Sequence, residues 1–545
     1  MARLVYIQIS KSTQLTALAD NQHNIIIEIA PERGNILDRG LRKLAVDRNV
    51  YSVYASPDRI DDDMNPEYAK AISGILDMDE KLILKRLEQD KSFVWIKREM
   101  EKEISEAVAK LELKGVKIIK ERKRFYPNGS LASHLIGFTG VDDVGLEGIE
   151  LAYDGYLKGA PGWRWTVRDA KRRDILSEDV QFIPPSDGLD VVLTIDETIQ
   201  HIVETKLDAV YKKYKAEGAS IIVMDPANGD VLALANRPSF DINDFSSSEA
   251  DARRNRAVTD MYEPGSVFKI ITASCAVEGN AVSLNQEFFC ENGEYYIGGR
   301  ILHDHSPYGT LTFREIIEKS SNIGVTKIAQ ILGRERVCEF IRLFGFGRPT
   351  GIDIPGEIKG LVHPASRWSG VSISSVPIGQ EVAVTSIQLI SAISAIANGG
   401  YLVRPRVVRE IRDKDGNTIK SFPPTVVSQI LSQRSSDTVK DILKGVVEKG
   451  TGRRARLERY TAAGKTGTAQ KIEPDGRYSH TKFIATFVGF APVEDPRIAV
   501  LVTVDKPTPA YYGGTVAAPV FKNVAGDVLK YLRVEPDRVE EAVEL

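Results

Sequence analysis

The run Pro264-Gly265-Ser266-Val267-Phe268-Lys269 leads into an apolar segment that ends near Val277, and it decides how the rest of the chain is interpreted. The serine stands at the start of an expected buried helix, where developing negative charge is stabilised. Lys269 follows three residues later, so a helix places it on the same face as Ser266. A serine hydroxyl becomes a strong nucleophile only when a base takes its proton. The pair predicts a serine nucleophile with a lysine base, provided that burial keeps the amine neutral.

A Ser-x-x-Lys spacing is weak evidence by itself, because chance produces it about twice in a chain of this length. A second copy, Ser479-His480-Thr481-Lys482, is present. That copy adjoins a predicted strand and does not open an apolar helix. The first copy is therefore favoured as the reactive pair.

The stretch Ser320-Ser321-Asn322 follows a helical run. The hydroxyl of Ser320 can relay protons between Lys269 and a departing amine, and the Asn322 amide can orient a substrate backbone. The alternative is an N-terminal cap for a helix that begins at Ile323, since serine and asparagine are favoured at that position. The residues alone leave both interpretations open.

Lys465-Thr466-Gly467-Thr468 is the most specific stretch, because a random match to four fixed residues is expected in about one such chain in a hundred. Gly467 lets backbone approach a ligand closely. Lys465 offers a fixed positive charge, and the hydroxyls of Thr466 and Thr468 can bind a carboxylate. The Thr468 N–H, with that of the nucleophilic serine, can form an oxyanion hole. A phosphate-binding loop is excluded, since no Gly-x-x-x-x-Gly precedes the lysine.

Elements on both sides of these stretches predict an α+β fold. They are a hairpin at Ser220–Met224 and Val231–Ala235, a mainly helical insert from about Pro264 to Ala397, strands at Phe483–Phe490 and Ile498–Val504, and a helix near Pro519–Leu532. The hairpin is predicted because Asp225–Gly229 has turn chemistry. We therefore expect one antiparallel sheet flanked by helices, with a helical subdomain beside it.

At 545 residues the chain is too long for one ordinary core. The best boundary is Ile183-Pro184-Pro185-Ser186-Asp187-Gly188, because its prolines and glycine stop regular structure. We predict a mixed strand and helix domain at 1–185 as a scaffold, a domain at 186–533 that carries the three stretches, and a charged tail at 534–545. In the first domain, Pro66–Leu87 and Lys102–Leu113 have helical spacing.

The composition excludes several classes of function. A net charge of −3 gives no electrostatic reason to expect nucleic acid. Three cysteines without a CxxC pair show neither a disulfide framework nor metal-ligand spacing. His303-Asp304-His305 is interpreted as loop structure near the cleft in preference to a metal site. We expect no metal and no cofactor. The sequence also lacks a run of about eighteen apolar residues, so no segment of it is expected to span a bilayer.

Taken together, the three stretches resemble the active-site motifs of class B penicillin-binding proteins. The resemblance covers nearly the whole length, from about Val5 to Leu532. Asn255–Ser266 is similar to the family's approach to its nucleophile, and Asp225–Ala233 resembles its first hairpin. Arg33–Arg39 and Gly145–Tyr153 resemble two motifs of the family's N-terminal pedestal, or dimerisation-like, domain.

The resemblance implies a penicillin-binding, serine β-lactamase-like transpeptidase fold and a two-step reaction without a cofactor. Ser266 would attack a peptidoglycan stem peptide ending in D-Ala-D-Ala, with Lys269 as base and Ser320 delivering a proton to the departing D-Ala. An amine from a neighbouring stem would then resolve the acyl-enzyme. Asn322 and Lys465–Thr468 would bind substrate. β-Lactams would imitate the donor and remain bound as the acyl-enzyme.

Two features depart from the family's pattern. The family continues Asp-Arg with Asn-Gly, whereas Gly40-Leu41 follows Arg39 here. The family's N-terminal membrane anchor is missing from the sequence, and Arg3–Gln8 resembles the stretch that follows such an anchor. The resemblance implies a single-pass membrane protein with its catalytic domain outside the cytoplasm. Its expected partners are a membrane glycosyltransferase and cell-division proteins, because Gly513–Phe521 looks more like the division type than the elongation type.

Two alternatives remain open at this point. One is a hydrolase, either a D,D-carboxypeptidase or a β-lactamase, which shares the acylation step. The large first domain argues against a β-lactamase, since a small drug needs no pedestal. The other is a β-lactam sensor or a silent scaffold. The complete set of reactive residues argues against silence, and a sensor would need a signalling domain that the sequence does not show.

Overall fold

A five-stranded antiparallel sheet forms the centre of the C-terminal half in the computed structural model, which describes residues 24–168, 174–175, 182–473 and 475–538. Its strands, in spatial order, are Val231–Arg237, Gly218–Met224, Ile498–Asp505, Tyr478–Ala491 and Ala463–Ile472. The predicted hairpin and both later strands are confirmed, with longer strands than the sequence indicated. The α+β class is therefore confirmed, and Ala463–Ile472 forms one edge of the sheet.

The strand Gly218–Met224 shows why this sheet is covered on both faces. Successive side chains of a strand point to opposite faces. Ile221 belongs to a core cluster with helices Glu197–Lys213 and Ala518–Tyr531. Its neighbour Ile222 belongs to a second cluster, which the sheet shares with the helical subdomain. Every residue of the strand is buried as a result.

The helical subdomain contains the predicted insert and one helix that the sequence analysis missed. Its main helices are Lys269–Glu278, Phe313–Lys319, Asn322–Leu332, Arg334–Leu343, Ser386–Ala397 and Gln433–Glu448, with a short helix at Ser372–Ser375. Its short strands are Met261–Tyr262, Glu287–Phe289, Glu294–Ile297, Arg300–His303, Thr310–Thr312, Leu361–Val362 and Val382–Thr385. The missed helix is Gln433–Glu448. Its signal was the buried spacing of Val439, Leu443 and Val446 after the N-cap residue Ser432.

The N-terminal domain, called the pedestal here, is a mixed strand and helix domain as predicted. Its main strands are Ile36–Leu37, Lys43–Ala55, Val94–Met100 and Val116–Phe125, with helices Asn65–Leu76, Glu80–Leu87 and Lys102–Ala109 and short helices at Ser133–Ile136, Gly148–Ala152 and Asp154–Leu157. The helical pattern of Pro66–Leu87 is corrected to two helices, because Asp77 takes a left-handed φ of 49° between them. A separate sheet joins Asn24–Ile29, Gly162–Arg168, Asp174–Ile175 and Phe182–Ile183.

One sheet runs through the predicted boundary between the two domains. Asp190–Leu193 pairs in parallel with Ile36–Leu37 of the pedestal and antiparallel with Val408–Arg412 of the C-terminal half. Val408–Arg412 pairs in turn with Thr418–Ser421, and a separate pair joins Tyr401–Val403 and Val426–Gln429. The pedestal is therefore attached through backbone hydrogen bonds as well as side chains. The exact boundary at 185/186 stays a prediction.

The first residues of the predicted tail pack against the C-terminal half. The Tyr460 hydroxyl donates to the Val534 carbonyl at 3.0 Å, and the Thr461 N–H donates to Asp537 Oδ1 at 2.7 Å. The rest of the predicted tail, 539–545, and the anchor-following stretch Arg3–Gln8 lie outside the described residues. Within the described ranges, no helix has both the length and the apolarity to cross a membrane.

Candidate active site

Ser266 lies in a 3₁₀ turn, Gly265–Phe268, that continues directly into the helix Lys269–Glu278. The turn packs on the edge strand of the sheet through two glycines. A Cβ on Gly265, whose φ is 56°, would lie 3.0 Å from the Thr468 carbonyl oxygen. A Cβ on Gly467 would lie 2.7 Å from a methyl group of Val267. The close approach expected of Gly467 is thus made to the turn that carries Ser266.

The side chains of the three sequence stretches meet at the hydroxyl of Ser320. The Lys269 amine donates to the Ser320 carbonyl oxygen at 2.5 Å, to its Oγ at 3.1 Å and to Asn322 Oδ1 at 2.8 Å. The Lys465 amine donates to the same Ser320 Oγ at 2.8 Å. Both lysine side chains are fully buried. The structure therefore brings four of the predicted site residues into one hydrogen-bonded cluster.

The Ser266 hydroxyl stands apart from that cluster's hydrogen bonds. Its residue is half-buried, and in the described part of the chain its Oγ makes no hydrogen bond. Lys269, three residues further on, directs its amine toward Ser320. Hydrogen bonds between catalytic groups commonly tighten only when substrate binds.

Burial decides the charge of the two lysines. It lowers the pKa of Lys269 to about 7, against the attraction of the Asp304 carboxylate, which raises it. Burial, together with the positive charge of Lys269, lowers the pKa of Lys465 well below its usual value. A neutral amine near pH 7 is the form that a general base requires. The fixed positive charge expected of Lys465 is opposed by burial and by Lys269.

The capping interpretation of Ser320-Ser321-Asn322 holds for Ser321, while the proton relay by Ser320 and the substrate contact of Asn322 stay predictions. Ser320 ends the helix Phe313–Lys319 with a left-handed φ of 62°. Ser321 is the N-cap of the helix Asn322–Leu332, and its Oγ accepts the Gly324 N–H at 2.9 Å. The helix begins one residue earlier than predicted. The cap turns Ser320 and Asn322 toward Lys269.

The two threonines of the edge strand are held by neighbours that the sequence analysis did not identify. Thr466 Oγ1 shares a hydrogen bond of 2.9 Å with Thr451 Oγ1. Thr468 Oγ1 accepts the Gly513 N–H at 3.0 Å, which leaves the hydroxyl proton available to a ligand. Binding of a carboxylate by these hydroxyls, and the oxyanion hole of Thr468 and Ser266, stay predictions.

His303-Asp304-His305 lies at the rim of the cluster. The loop interpretation holds for Asp304 and His305, whereas His303 ends the strand Arg300–His303. Asp304 Oδ2 accepts the Ser321 hydroxyl at 2.6 Å, and Oδ1 accepts the N–H groups of Asn322 and Ile323. This contribution of Asp304 was not predicted, and its signal in the sequence was its place between two histidines. Among the described residues no group of three or more possible metal ligands occurs.

The second Ser-x-x-Lys copy has a different environment, as expected. It lies on the strand Tyr478–Ala491, where Ser479 Oγ accepts the N–H groups of Thr481 and Lys482. The Lys482 amine forms an ion pair with Glu473 at 2.9 Å. A paired, half-exposed ammonium cannot act as a neutral base.

Comparisons with known proteins agree with this fold. The family described as penicillin binding protein transpeptidase domain matches residues 219–526. The family described as penicillin-binding protein dimerisation domain matches residues 28–193. The fold thus defines a protein of the penicillin-binding class. The chain belongs to the class B penicillin-binding proteins, with both of their domains present.

Relatives match over most of their own length. Stage V sporulation protein D of Bacillus subtilis is 38% identical over 542 residues, which cover 98% of this chain and 83% of the relative. Peptidoglycan D,D-transpeptidase FtsI of Escherichia coli is 32% identical over 543 residues, which cover 98% and 90%. Penicillin binding protein 3 of Mycobacterium tuberculosis, solved in complex with aztreonam, superposes with a TM-score of 0.73 at 28% identity and covers 94% of this chain and 99% of its own.

Proposed function

We propose that this protein is a serine D,D-transpeptidase that cross-links peptidoglycan stem peptides through an acyl-enzyme on Ser266. Its family and the named activity of FtsI support the reaction class. The observation that carries the residue assignment is the environment of Ser320. Its Oγ accepts hydrogen bonds from both Lys269 and Lys465, so both lone pairs are occupied and its own proton is free for another group.

Acylation begins when Ser266 Oγ attacks the carbonyl carbon of the penultimate D-Ala. The neutral amine of Lys269 takes the hydroxyl proton as the new C–O bond forms. The carbonyl oxygen becomes an oxyanion, for which the N–H groups of Ser266 and Thr468 are the proposed donors. When the C–N bond breaks, Ser320 gives its proton to the departing D-Ala amine. A proton from the lysine cluster then restores the Ser320 hydroxyl.

The second step runs the same exchange in reverse. The neutral amine of a neighbouring stem peptide attacks the ester carbon of the acyl-enzyme. Ser320 accepts the proton that the amine loses and passes its own proton to Lys269. The C–O bond to Ser266 breaks and the oxygen regains its proton from Lys269. The product is an amide that joins two stems. Every proton taken up in acylation is returned, so the site needs no cofactor.

The substrate's position follows from the edge strand Ala463–Ile472. Among the described residues this strand pairs only with Tyr478–Ala491, so its outer edge can receive an extended peptide. The terminal carboxylate of the donor would contact Lys465 and the hydroxyls of Thr466 and Thr468. Asn322 would contact the donor's peptide backbone. β-Lactams would bind in the same place, because they present a carboxylate beside a reactive carbonyl.

Covalent labelling tests this proposal. Penicillin should add one acyl group to the protein by intact mass, and peptide mapping should place it on Ser266. Ser266→Ala should abolish labelling while the protein unfolds at the wild-type temperature. The matched control is Ser479→Ala in the second Ser-x-x-Lys copy, which should label normally. Labelling of Ser266→Ala would refute the assignment.

The lifetime of the acyl-enzyme separates cross-linking from hydrolysis. A transpeptidase should hold the penicilloyl group for many minutes, because water is a poor substitute for the acceptor amine. Release within seconds would favour a carboxypeptidase or β-lactamase. A stable adduct without cross-linking of purified stem-peptide substrate would instead favour a sensor.

We further propose a septal role, with the protein anchored in the membrane and its catalytic domain outside the cytoplasm. FtsI and the division-like stretch Gly513–Phe521 support this role. A membrane glycosyltransferase and other division proteins are the proposed partners, and the pedestal is the proposed docking surface. Chemical cross-linking of the protein to its neighbours in intact cells, followed by mass spectrometry, tests the proposed docking surface. Links confined to residues 186–533 would contradict docking on the pedestal.

A further inference from the structure

The stretch His303–His305 has no part in the reaction steps above, yet it contacts the residues that perform them. It ends the hairpin formed by Glu294–Ile297 and Arg300–His303. Asp304 places one carboxylate oxygen on the first two N–H groups of the helix Asn322–Leu332 and the other on the Ser321 hydroxyl. A carboxylate at a helix N-terminus satisfies unpaired N–H groups and the helix dipole together.

The backbone beside Asp304 fixes the direction of the Asn322 amide. Asn322 Nδ2 donates to the His303 carbonyl oxygen at 2.8 Å. The amide oxygen therefore faces the other way and accepts the Lys269 amine at 2.8 Å. A loop that shifted would release the amide and both contacts of Lys269 with Ser320. The orientation of the reactive amine thus depends on this stretch.

We infer that Asp304 is a positioning residue of the acyl-transfer reaction, which holds the Ser320–Asn322 loop against Lys269 and places a negative charge where it acts on that amine. This inference rests on the proposed function, because it gives Lys269 the part of the base. Asp304 does not touch the predicted position of the substrate. It acts through the loop and through its charge.

The charge acts in a definite direction. Among the described residues, the charged group that acts on Lys269 is Asp304, from the hairpin. The charged group that acts on Lys465 is Lys269. Burial lowers the pKa of Lys269 to about 7, and the attraction of Asp304 limits that fall. The neutral amine is the reactive form, so acylation should rise with pH through about 7. This rise is the acid limb of the pH profile. Removing the charge of Asp304 should lower the pKa of Lys269 further and so move the acid limb to lower pH.

The test is the pH dependence of the acylation rate constant with a fluorescent penicillin, measured on the whole protein. Asp304→Asn keeps the size of the side chain and removes its charge. We expect its acid limb to lie about one pH unit below that of the wild type, and its plateau to fall about tenfold. The control is Glu294→Gln in the same hairpin, whose carboxylate is 71% exposed and lies 3.8 Å from His303. It should reproduce the wild-type profile.

An unmoved acid limb or an unchanged plateau in Asp304→Asn overturns the inference. A purely structural contact would lower the plateau and leave the limb in place. If that variant does not fold, Asp304→Glu decides, because it keeps the charge and displaces the carboxylate. The displaced carboxylate should attract the Lys269 amine more weakly, so the acid limb should lie below the wild-type pH by less than about one unit, with a plateau about tenfold lower. An unmoved limb or an unchanged plateau overturns the inference. A wild-type protein that is not acylated on Ser266 would refute the proposed function itself.

Discussion

Two buried clusters of basic side chains in this molecule differ in how burial affects their charge. In the pedestal, Arg33 and Arg124 share the carboxylate of Glu150, at 2.8 and 2.6 Å. In the active site, Lys269 and Lys465 share the hydroxyl of Ser320, at 3.1 and 2.8 Å. The pedestal cations face carboxylates, whereas the active-site amines face a hydroxyl and an amide.

The difference appears in the pKa values. Burial opposes the charge of Arg33, but the attraction of Glu150 and Asp143 outweighs it and raises the pKa. Burial also opposes the charge of Arg124, and the attraction of Glu150 and Asp47 again outweighs it and raises the pKa. Within the described part of the chain, the attraction of Asp304 alone opposes the effect of burial on Lys269, so the pKa of that amine falls to about 7. Burial with paired carboxylates keeps a cation charged for structure, and burial with neutral partners turns it into a base.

Exchanging the lysine base for a cation that cannot lose its proton should have the largest effect. Lys269→Arg keeps a positive side chain on the same helix, but a guanidinium stays protonated in proteins. We expect the acylation rate constant to fall by about 10²–10⁴-fold, the usual contribution of a general base. Stopped-flow labelling with a fluorescent penicillin measures it. Lys482→Arg, in the second Ser-x-x-Lys copy, is the matched control and should react at the wild-type rate. A reactive Lys269→Arg would mean that the active-site amine need not be neutral.

Removing the shared carboxylate of the pedestal should cost stability while the chemistry is retained. Glu150→Gln leaves Arg33 and Arg124 buried without their common counter-charge, which costs about 3–5 kcal/mol. Urea unfolding measures the loss, and the folded fraction should still be acylated by penicillin. The matched control is Glu101→Gln, whose ion pair with Arg48 is 59% exposed on the glutamate side. That pair should contribute less than about 1 kcal/mol. Equal losses in the two variants would contradict the comparison.

The parts that could be predicted from sequence were those with local signals. Four of the five strands of the central sheet followed from short apolar runs next to turn residues, and the α+β class followed from their order around a helical insert. The three stretches with Ser266, Lys269, Ser320, Asn322 and Lys465 were found because their residue types carry chemistry wherever they lie. Their meeting at one hydroxyl was a hypothesis, since no local pattern specifies contacts across 145 residues.

The parts that could not be predicted depend on tertiary contacts. Asp304 was visible only as a member of a histidine cluster, because its partners lie seventeen and more residues away. The charge of Lys465 was expected to be fixed, and burial beside a second amine opposes it. The contact between Arg33 and Glu150 joins two pedestal motifs that the resemblance named separately. Their 117-residue separation hid the ion pair that links them.

The smallest expected effect concerns backbone strain, which occurs both in the active site and in the pedestal. Ser320 in the active site and Leu41 in the pedestal both take a left-handed conformation, with φ of 62° and 66°. The strained conformation of Ser320 places its hydroxyl within hydrogen-bond distance of the Lys269 and Lys465 amines. Leu41 is 45% exposed and stands where the family has glycine, in a turn where Asp38 accepts the Gly40 N–H at 2.7 Å. The left-handed conformation costs a residue with a side chain about 1 kcal/mol or more, and glycine avoids that cost.

Leu41→Gly should therefore stabilise the protein by about 0.5–1 kcal/mol, after the larger entropy loss of glycine on folding is deducted. Acylation should be unchanged. Ser320→Gly would relieve the same kind of strain but should slow acylation sharply, because the hydroxyl between the two amines is lost. Urea unfolding and penicillin labelling of both variants measure the contrast. A destabilised Leu41→Gly would show that the leucine side chain contributes packing that outweighs its backbone strain. In that case the two strained residues would both be retained for their side chains, and only their roles would differ.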